Sequence, residues 1–346
     1  MARKVAAGHA AAARARALYG KRLTEKQYGE LCTCRSVSEI VSYLKAQTSY
    51  KTVLTDVKEN TVHRGALEQL LRLKTAENLK KLYGYDKQID AVVGMYHQQQ
   101  IEVHWILRWL RAKTADPDNT WFLSTATLAA GSSLDPVRMN ACKTVKELAE
   151  ELRNTPYAAV LEKFENDAKL PTVTALETAL LRSSDRFLHE ETGTAGKQLS
   201  ALLGSRMDVQ NFCRIWRMKE FFGSSPAEIR DALLPSGGNF TQKELDAMVE
   251  AGSAEEAASV FYATRLGRQV PTEERKSIDM LEERIPYFAA RHDIHFSAEP
   301  AVICMAYAIL AEIELHNLIH IIEGVRYALP TSDILKYLVL YEQKGG

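Results

Sequence analysis

The 346-residue chain has little of what builds β-rich, disulfide-stapled or strongly charged proteins. Glycine (18) and proline (10) are sparse, and proline falls mostly where the chain reads as loop. Asn-Gly hairpin signals are missing, as is any alternating run long enough for a sheet. The five cysteines, Cys32, Cys34, Cys142, Cys213 and Cys304, are odd in number and scattered. That is a poor disulfide framework and points to a reducing compartment. Cys32-Thr-Cys34 has no nearby partners for a zinc site. Lys+Arg and Asp+Glu are both 44, which removes any bulk electrostatic pull toward nucleic acid. The longest apolar candidate, Ala301 to Ile313, already contains Glu312 and falls short of the roughly 20 residues a membrane span needs. What remains is an all-α protein.

The chain repeats itself instead. Glu102-Val-His-Trp-Ile-Leu-Arg108 returns as Asp208-Val-Gln-Asn-Phe-Cys-Arg214 and again as Glu314-Leu-His-Asn-Leu-Ile-His320, spaced 106 residues apart both times. Val103, Ile106, Leu107 and Leu110 match Val209, Phe212, Cys213 and Trp216, then Leu315, Leu318, Ile319 and Ile322. Each set falls at i, i+3, i+4 and i+7, one stripe of an amphipathic helix. The repeated motif positions are Glu102, Arg108, Asp208, Asn211, Arg214, Glu314 and Asn317.

Earlier in each copy lies a second repeated segment. Ser36 with Glu39 reads as an N-cap with an acid at the third helical position, followed by Ile40, Val41 and Leu44. Thr144 with Glu147 and Ser253 with Glu256 repeat it, and Thr48-Ser-Tyr50 and Thr155-Pro-Tyr157 follow the first two. A short helix precedes the first and third, as Leu23-Thr24…Gln27 and Phe240-Thr241. Long helical stretches then run over Thr61–Lys113, Thr172–Gly223 and Glu273–Leu329, with breaks at Gly84, at Gly193 and Gly196, and at Ile285-Pro286. Linkers are expected at Lys113–Asn119, Gly223–Pro226 and Ser236–Asn239. The expected units are 1–113, 114–223 and 224–346, each closed by its repeated helix. The period is too long for the roughly 33–47-residue units of ankyrin, tetratricopeptide or HEAT arrays. Residues Ala6 to Tyr19 read as an alanine-rich helix packed into the first bundle. Its basic residues also fit a presequence or a surface for anionic lipid.

With these residues in view, the chain resembles the C subunits of the V/A-type rotary ATPases, relatives of the d subunit of the eukaryotic vacuolar enzyme. The resemblance rests on Ala13-Arg-Ala-Arg-Ala-Leu18 leading to Gly20-Lys-Arg-Leu-Thr24, on Ser36 to Tyr50, and on the repeated helices ending in Glu314-Leu-His-Asn317 and Glu323-Gly324. It covers essentially the whole chain. Trp105, where the other copies have Asn211 and Asn317, and Leu266, where Tyr50 and Tyr157 stand, depart from the pattern. The resemblance implies three related three-helix bundles in a funnel with approximate threefold symmetry. It implies one copy per complex, peripheral to the membrane on the cytoplasmic side. The implied partners are the central-stalk subunits (D/F type) and the proteolipid c ring, with no nucleic acid, no catalytic site and no cofactor. The implied role is to join stalk to ring and pass torque for proton or sodium transport.

Other chemistry has thinner support in the residues. Arg108 and Arg214 sit six positions from their acids, too far to pair along one helix. They are expected on a solvated face, or paired between bundles or with a partner subunit. Glu312, His316 and His320 share one helix face, with His292 and His295 elsewhere, and an α-helical metalloenzyme is the alternative reading. No HExxH or ExxH pattern accompanies them. Gly193-Thr-Ala-Gly196-Lys197 fails as a phosphate loop, having Glu191 and Gln198 where Gly and Ser or Thr are required. A helical scaffold unrelated to rotary ATPases is the third reading. Trp105, Trp109 and Trp216 are expected in the core and Trp121 on the surface.

Overall fold

Every copy is started by side chains acting on their own backbone. A computed structural model of the chain describes residues 2–59, 62–115, 132, 134–165, 170–192, 197–272, 275 and 278–340, and these form helices and turns without a strand among them. Ser36, Thr144 and Ser253 cap the helices Val37–Gln47, Val145–Glu151 and Ala254–Ala263. Their hydroxyls accept from the backbone of Glu39, Glu147 and Glu256 at 3.2, 3.2 and 3.1 Å. The three glutamates reach back one residue beyond the cap, to the N–H of Arg35, Lys143 and Gly252. Two orphan donors per helix start are thus satisfied locally, which is why this pattern is readable from sequence. The short helices before them, Glu25–Cys32 and Gln242–Glu250, carry complete capping boxes at Thr24 and Thr241. Their middle counterpart, Pro136–Ala141, starts instead on Asp135 with proline at the first helical position.

Thr48, Thr155 and Thr264 then turn the chain. Each hydroxyl donates to the carbonyl of the helix just ended, at Leu44, Leu152 and Phe261. Each also accepts an N–H two or three residues on, from Tyr50, Tyr157 and Gly267.

The long repeat helices run over Met95–Ala115, Lys197–Phe222 and Pro300–Arg326. The third is 27 residues, about twice the apolar run visible in sequence, because Glu312, Glu314 and His316 interrupt that run without ending the helix. By length and composition it could cross a membrane, yet 72% of its most apolar window is buried in the protein. A π-helical turn, Asp90–Gly94, leads into the first. The expected break at Gly84 is where Arg64–Tyr83 ends. Pro286 makes no break; it is absorbed early in Leu281–Phe296. Gly193, Gly196, Trp121 and most of the Lys113–Asn119 linker lie outside the described residues.

The chain folds as two compact units, Met1–Gly94 with Tyr287–Gly346, and Met95–Pro286. In the first, Leu31, Ile40, Leu44, Leu54 and Leu71 share a core with Leu318, Ile321 and Ile322 of the third repeat helix. Ala2–Tyr19 packs on that helix through Ala11, Ala12 and Ala15, all buried. Arg16 ties it down, donating to the carbonyls of Ile294 (2.7 Å) and Ser297 (2.8 Å). The second unit holds two cores. One joins Val103, Ile106 and Trp109 to Leu148, Tyr157, Leu161 and Leu176. The other joins Val209, Phe212 and Cys213 to Met248, Phe261 and Leu281. Phe212 and Phe261 stack there at 3.8 Å between centroids. Each repeat helix therefore packs with the stretch that follows it, and the third with the first hundred residues. Helical periodicity sets which stripe is buried but not which flank covers it.

The loop Ser236–Asn239 lies directly on the second repeat helix, where Gly204 and Gly237 meet backbone to backbone. A Cβ on either would collide with the other's carbonyl. Gly237→Ala is expected to destabilise by about 1–3 kcal/mol, as overpacking does. Gly65→Ala, which meets nothing within 4 Å, should be neutral or stabilising by about 0.4–1 kcal/mol. Thermal unfolding of the two variants checks the contrast, and equal melting temperatures would contradict the close approach.

Candidate functional site

The repeated acid sits in a knot of hydrogen bonds at each position. Glu102 is 2% exposed and Asp208 fully buried, while Glu314 is half-buried on the wall of a cavity. Glu314 accepts from Tyr50 Oη (2.8 Å) and from the backbone N–H of Leu23 (2.9 Å). Glu102 accepts from Tyr157 Oη (2.8 Å), Ser132 Oγ (3.0 Å) and Gln98 Nε2 (2.9 Å). Asp208 accepts two backbone N–H groups, from Gly237 and Asn239, each at 2.7 Å. In all three, donors come from the segment leading into the short capped helix. In the first two the tyrosine after the turn threonine joins in. Leu266 stands where the third tyrosine would, and there the acid is the shorter aspartate, held chiefly by main-chain donors with the Asn239 side chain beside them. The departure at Leu266 is thus matched by its partner.

One turn along, Asn317 and Asn211 each clamp a stretch of non-helical backbone. Asn317 Nδ2 donates to Val339 O and its Oδ1 accepts from Val339 N, both at 2.9 Å. Asn211 does the same with Leu234, at 3.0 and 2.7 Å. These asparagines are 1% and 0% exposed, so the clamp satisfies groups that cannot reach water. Trp105 occupies the first position and is buried; the backbone at the corresponding distance along the chain is outside the described residues. The neighbouring Trp109 donates to Cys142 O at 3.2 Å.

Arg108 and Arg214 do not share surroundings. Arg108 is exposed. Arg214 is 13% exposed, pairs with Glu177 at 3.0 Å, and donates to Thr178 Oγ1 and to the carbonyl of Ala232. With Arg182, which donates to Asp231 O and Leu233 O, it covers the carbonyl end of Pro226–Ala232. Arg217 pairs with Glu282 at 2.7 Å.

Burial sets the protonation of these groups. It pushes the carboxyls of Asp208 and Glu314 up, and their hydrogen-bond donors pull only part of the way back. Burial, then the facing glutamate, raises the phenols of Tyr50 and Tyr157 far above their ordinary range. The thiols of Cys32 and Cys142 are held at about 11 by burial, which removes them as nucleophiles near neutrality. No three His, Cys, Asp or Glu side chains gather for a metal among the described residues. His320 Nδ1 lies 3.1 Å from the carbonyl of Tyr337.

The sequence pattern located the acids and asparagines but not their donors. Tyr50 lies 264 residues from Glu314, and Gly237 and Val339 contribute backbone, which leaves no side-chain signature. The one signal in the sequence was the joint change of acid length and tyrosine at Asp208 and Leu266.

Tyr157→Phe is expected to cost about 1–3 kcal/mol by leaving Glu102 short of a donor. In a cycle with Glu102→Gln the two changes should couple by about 0.5–3 kcal/mol, and additive losses would refute the bond. A pH dependence follows as well. The folded phenols of Tyr50 and Tyr157 hold their protons above pH ~10, where unfolded tyrosine releases them. Their contribution is whole below that pH and fades as pH climbs further. Tyr157→Phe should flatten the alkaline fall in melting temperature, and an unchanged slope would refute it.

The sequence profile of the ATP synthase (C/AC39) subunit family matches residues 11–337. The C subunit of the A-type ATP synthase of Thermococcus kodakarensis (strain ATCC BAA-918 / JCM 12380 / KOD1) is 24% identical over 322 residues, covering 88% of this chain and 83% of its own. Its counterpart from Desulfurococcus sp. (strain SY) is 27% identical over 294 residues, covering 79% and 73%.

Proposed function

Because the chain belongs to the ATP synthase (C/AC39) subunit family of A/V-type rotary ATPases, we propose that it is the rotor adapter of such a machine. In this reading it joins the central-stalk subunits to the membrane proteolipid ring and carries torque between them. It does so without a catalytic site of its own, as one copy on the cytoplasmic face of the membrane. Segments 1–113, 114–223 and 224–346 are three copies of one design, each lending its long helix to the next core. The observation that supports this best is where the repeated polar residues go. Glu102, Asp208, Glu314, Asn211 and Asn317 all serve as internal anchors between helix and loop. Close-packed cores pinned by buried polar knots resist shear, which suits a coupling.

The test is reconstitution. A complex lacking this chain should hydrolyse ATP in its catalytic head yet fail to drive ion uptake into vesicles, and adding the purified chain should restore uptake. The isolated chain should hydrolyse no ATP. Full ion pumping in the chain's absence would overturn the proposal.

A further inference from the structure

The first unit carries a partly open cavity of about 640 Å³. Its walls come from the end of the N-terminal helix, the Lys21–Lys26 turn, the Ser49–Thr52 turn, the helix Arg64–Tyr83 and the third repeat helix. That volume is in the range of small-molecule sites. The walls are strongly one-sided in charge, with seven Lys or Arg against two Glu.

Lys74 is the most telling residue of the wall. It is 7% exposed, and its Nζ donates to Thr52 Oγ1 at 2.8 Å, a neutral partner. Burial pulls its pKa down, and the charges of Lys81 and Lys21 pull in the same direction, with Glu77 opposing them only in part. Among the described residues, none of Arg14, Lys21, Arg22, Lys74 or Lys81 forms an ion pair with a carboxylate. Burying a cation beside other cations is costly unless an anion answers it. A second observation points the same way. Tyr19 lines the cavity at 5% exposure, and its buried hydroxyl has no hydrogen-bond partner among the described residues. Arg22 lies over the ring of that same tyrosine, 4.1 Å from its centroid.

We propose that this cavity is a binding site for a small anion carrying two or more phosphate groups, held by Lys21, Lys74 and Lys81 with Arg22. Ammonium groups lining one cavity from two elements, the helix Arg64–Tyr83 and the Lys21–Lys26 turn, fit several phosphates better than one carboxylate. The tyrosines on the wall supply hydroxyl donors and ring faces for the remainder of the molecule. The site stands on this geometry alone and does not depend on the rotor role.

Calorimetric titration of the full chain with pyrophosphate, tripolyphosphate and ATP at fixed ionic strength tests it, with sulfate as the singly centred control. Saturable binding is expected for at least one of the three, with sulfate weaker by about tenfold or more. Which of them binds tells an inorganic oligophosphate from a nucleotide. Lys74→Met should abolish the binding without lowering the melting temperature of the ligand-free protein, since it removes a buried ammonium whose hydrogen bond is to a neutral hydroxyl. Lys81→Gln, at the same wall, should weaken binding by about tenfold. Lys336→Gln, whose side chain pairs with Asp333 on the surface, should leave it unchanged. Absence of binding by all three at millimolar concentration overturns the site. So does equal loss in Lys336→Gln, or full binding retained in both cavity variants.

Discussion

The structure depends on one constraint: a carboxylate buried on a long helix must find its donors in a different part of the chain. A charged group withdrawn from water is tolerated only when hydrogen bonds replace its hydration. Each repeat helix carries such a group, and the segment packed against it carries the matching donors. The apolar stripe supplies most of the attraction, but it is non-directional. In the second and third helices the acid, with the asparagine one turn on, fixes the register at which helix and loop meet. Two fixed points on one helix leave neither rotation nor sliding free.

The three knots show how one constraint accommodates different residues. Tyr50 and Tyr157 each extend a phenol to a glutamate. Where Leu266 withdraws that phenol, the loop comes closer, and Gly204 against Gly237 is what permits the approach. Aspartate then suffices, because the main chain itself has come within reach. The exchange of a long side chain for close backbone contact conserves satisfied lone pairs rather than residue identity.

What could be read from sequence was what acts over a few residues. Ser36 with Glu39, Thr144 with Glu147 and Ser253 with Glu256 are contacts within one helical turn. Their signature is therefore local. The all-helical class and the phase of the repeat helices were legible for the same reason. The flank on which each helix packs was not, because an apolar stripe fits any complementary stripe. For Arg214 spacing alone leaves a solvated face and a pairing with another helix both open, and only the fold brings Glu177, on a different helix, to it. The basic cavity was invisible too. Lys21, Lys74 and Lys81 are scattered among ordinary surface-like charges, and only the fold turns them toward one space.

The pairing of the third repeat helix with the opening segment has a consequence for biosynthesis. Leu31, Ile40 and Leu44 leave the ribosome long before Leu318, Ile321 and Ile322, which complete their core. The residues of the second unit are contiguous and can condense as they emerge. Until those later residues emerge, the opening helices have only nearby partners such as Leu54, Leu67 and Leu71 to pack against. Closing this core therefore has to bridge the whole of the second unit, and it waits on residues made after that unit.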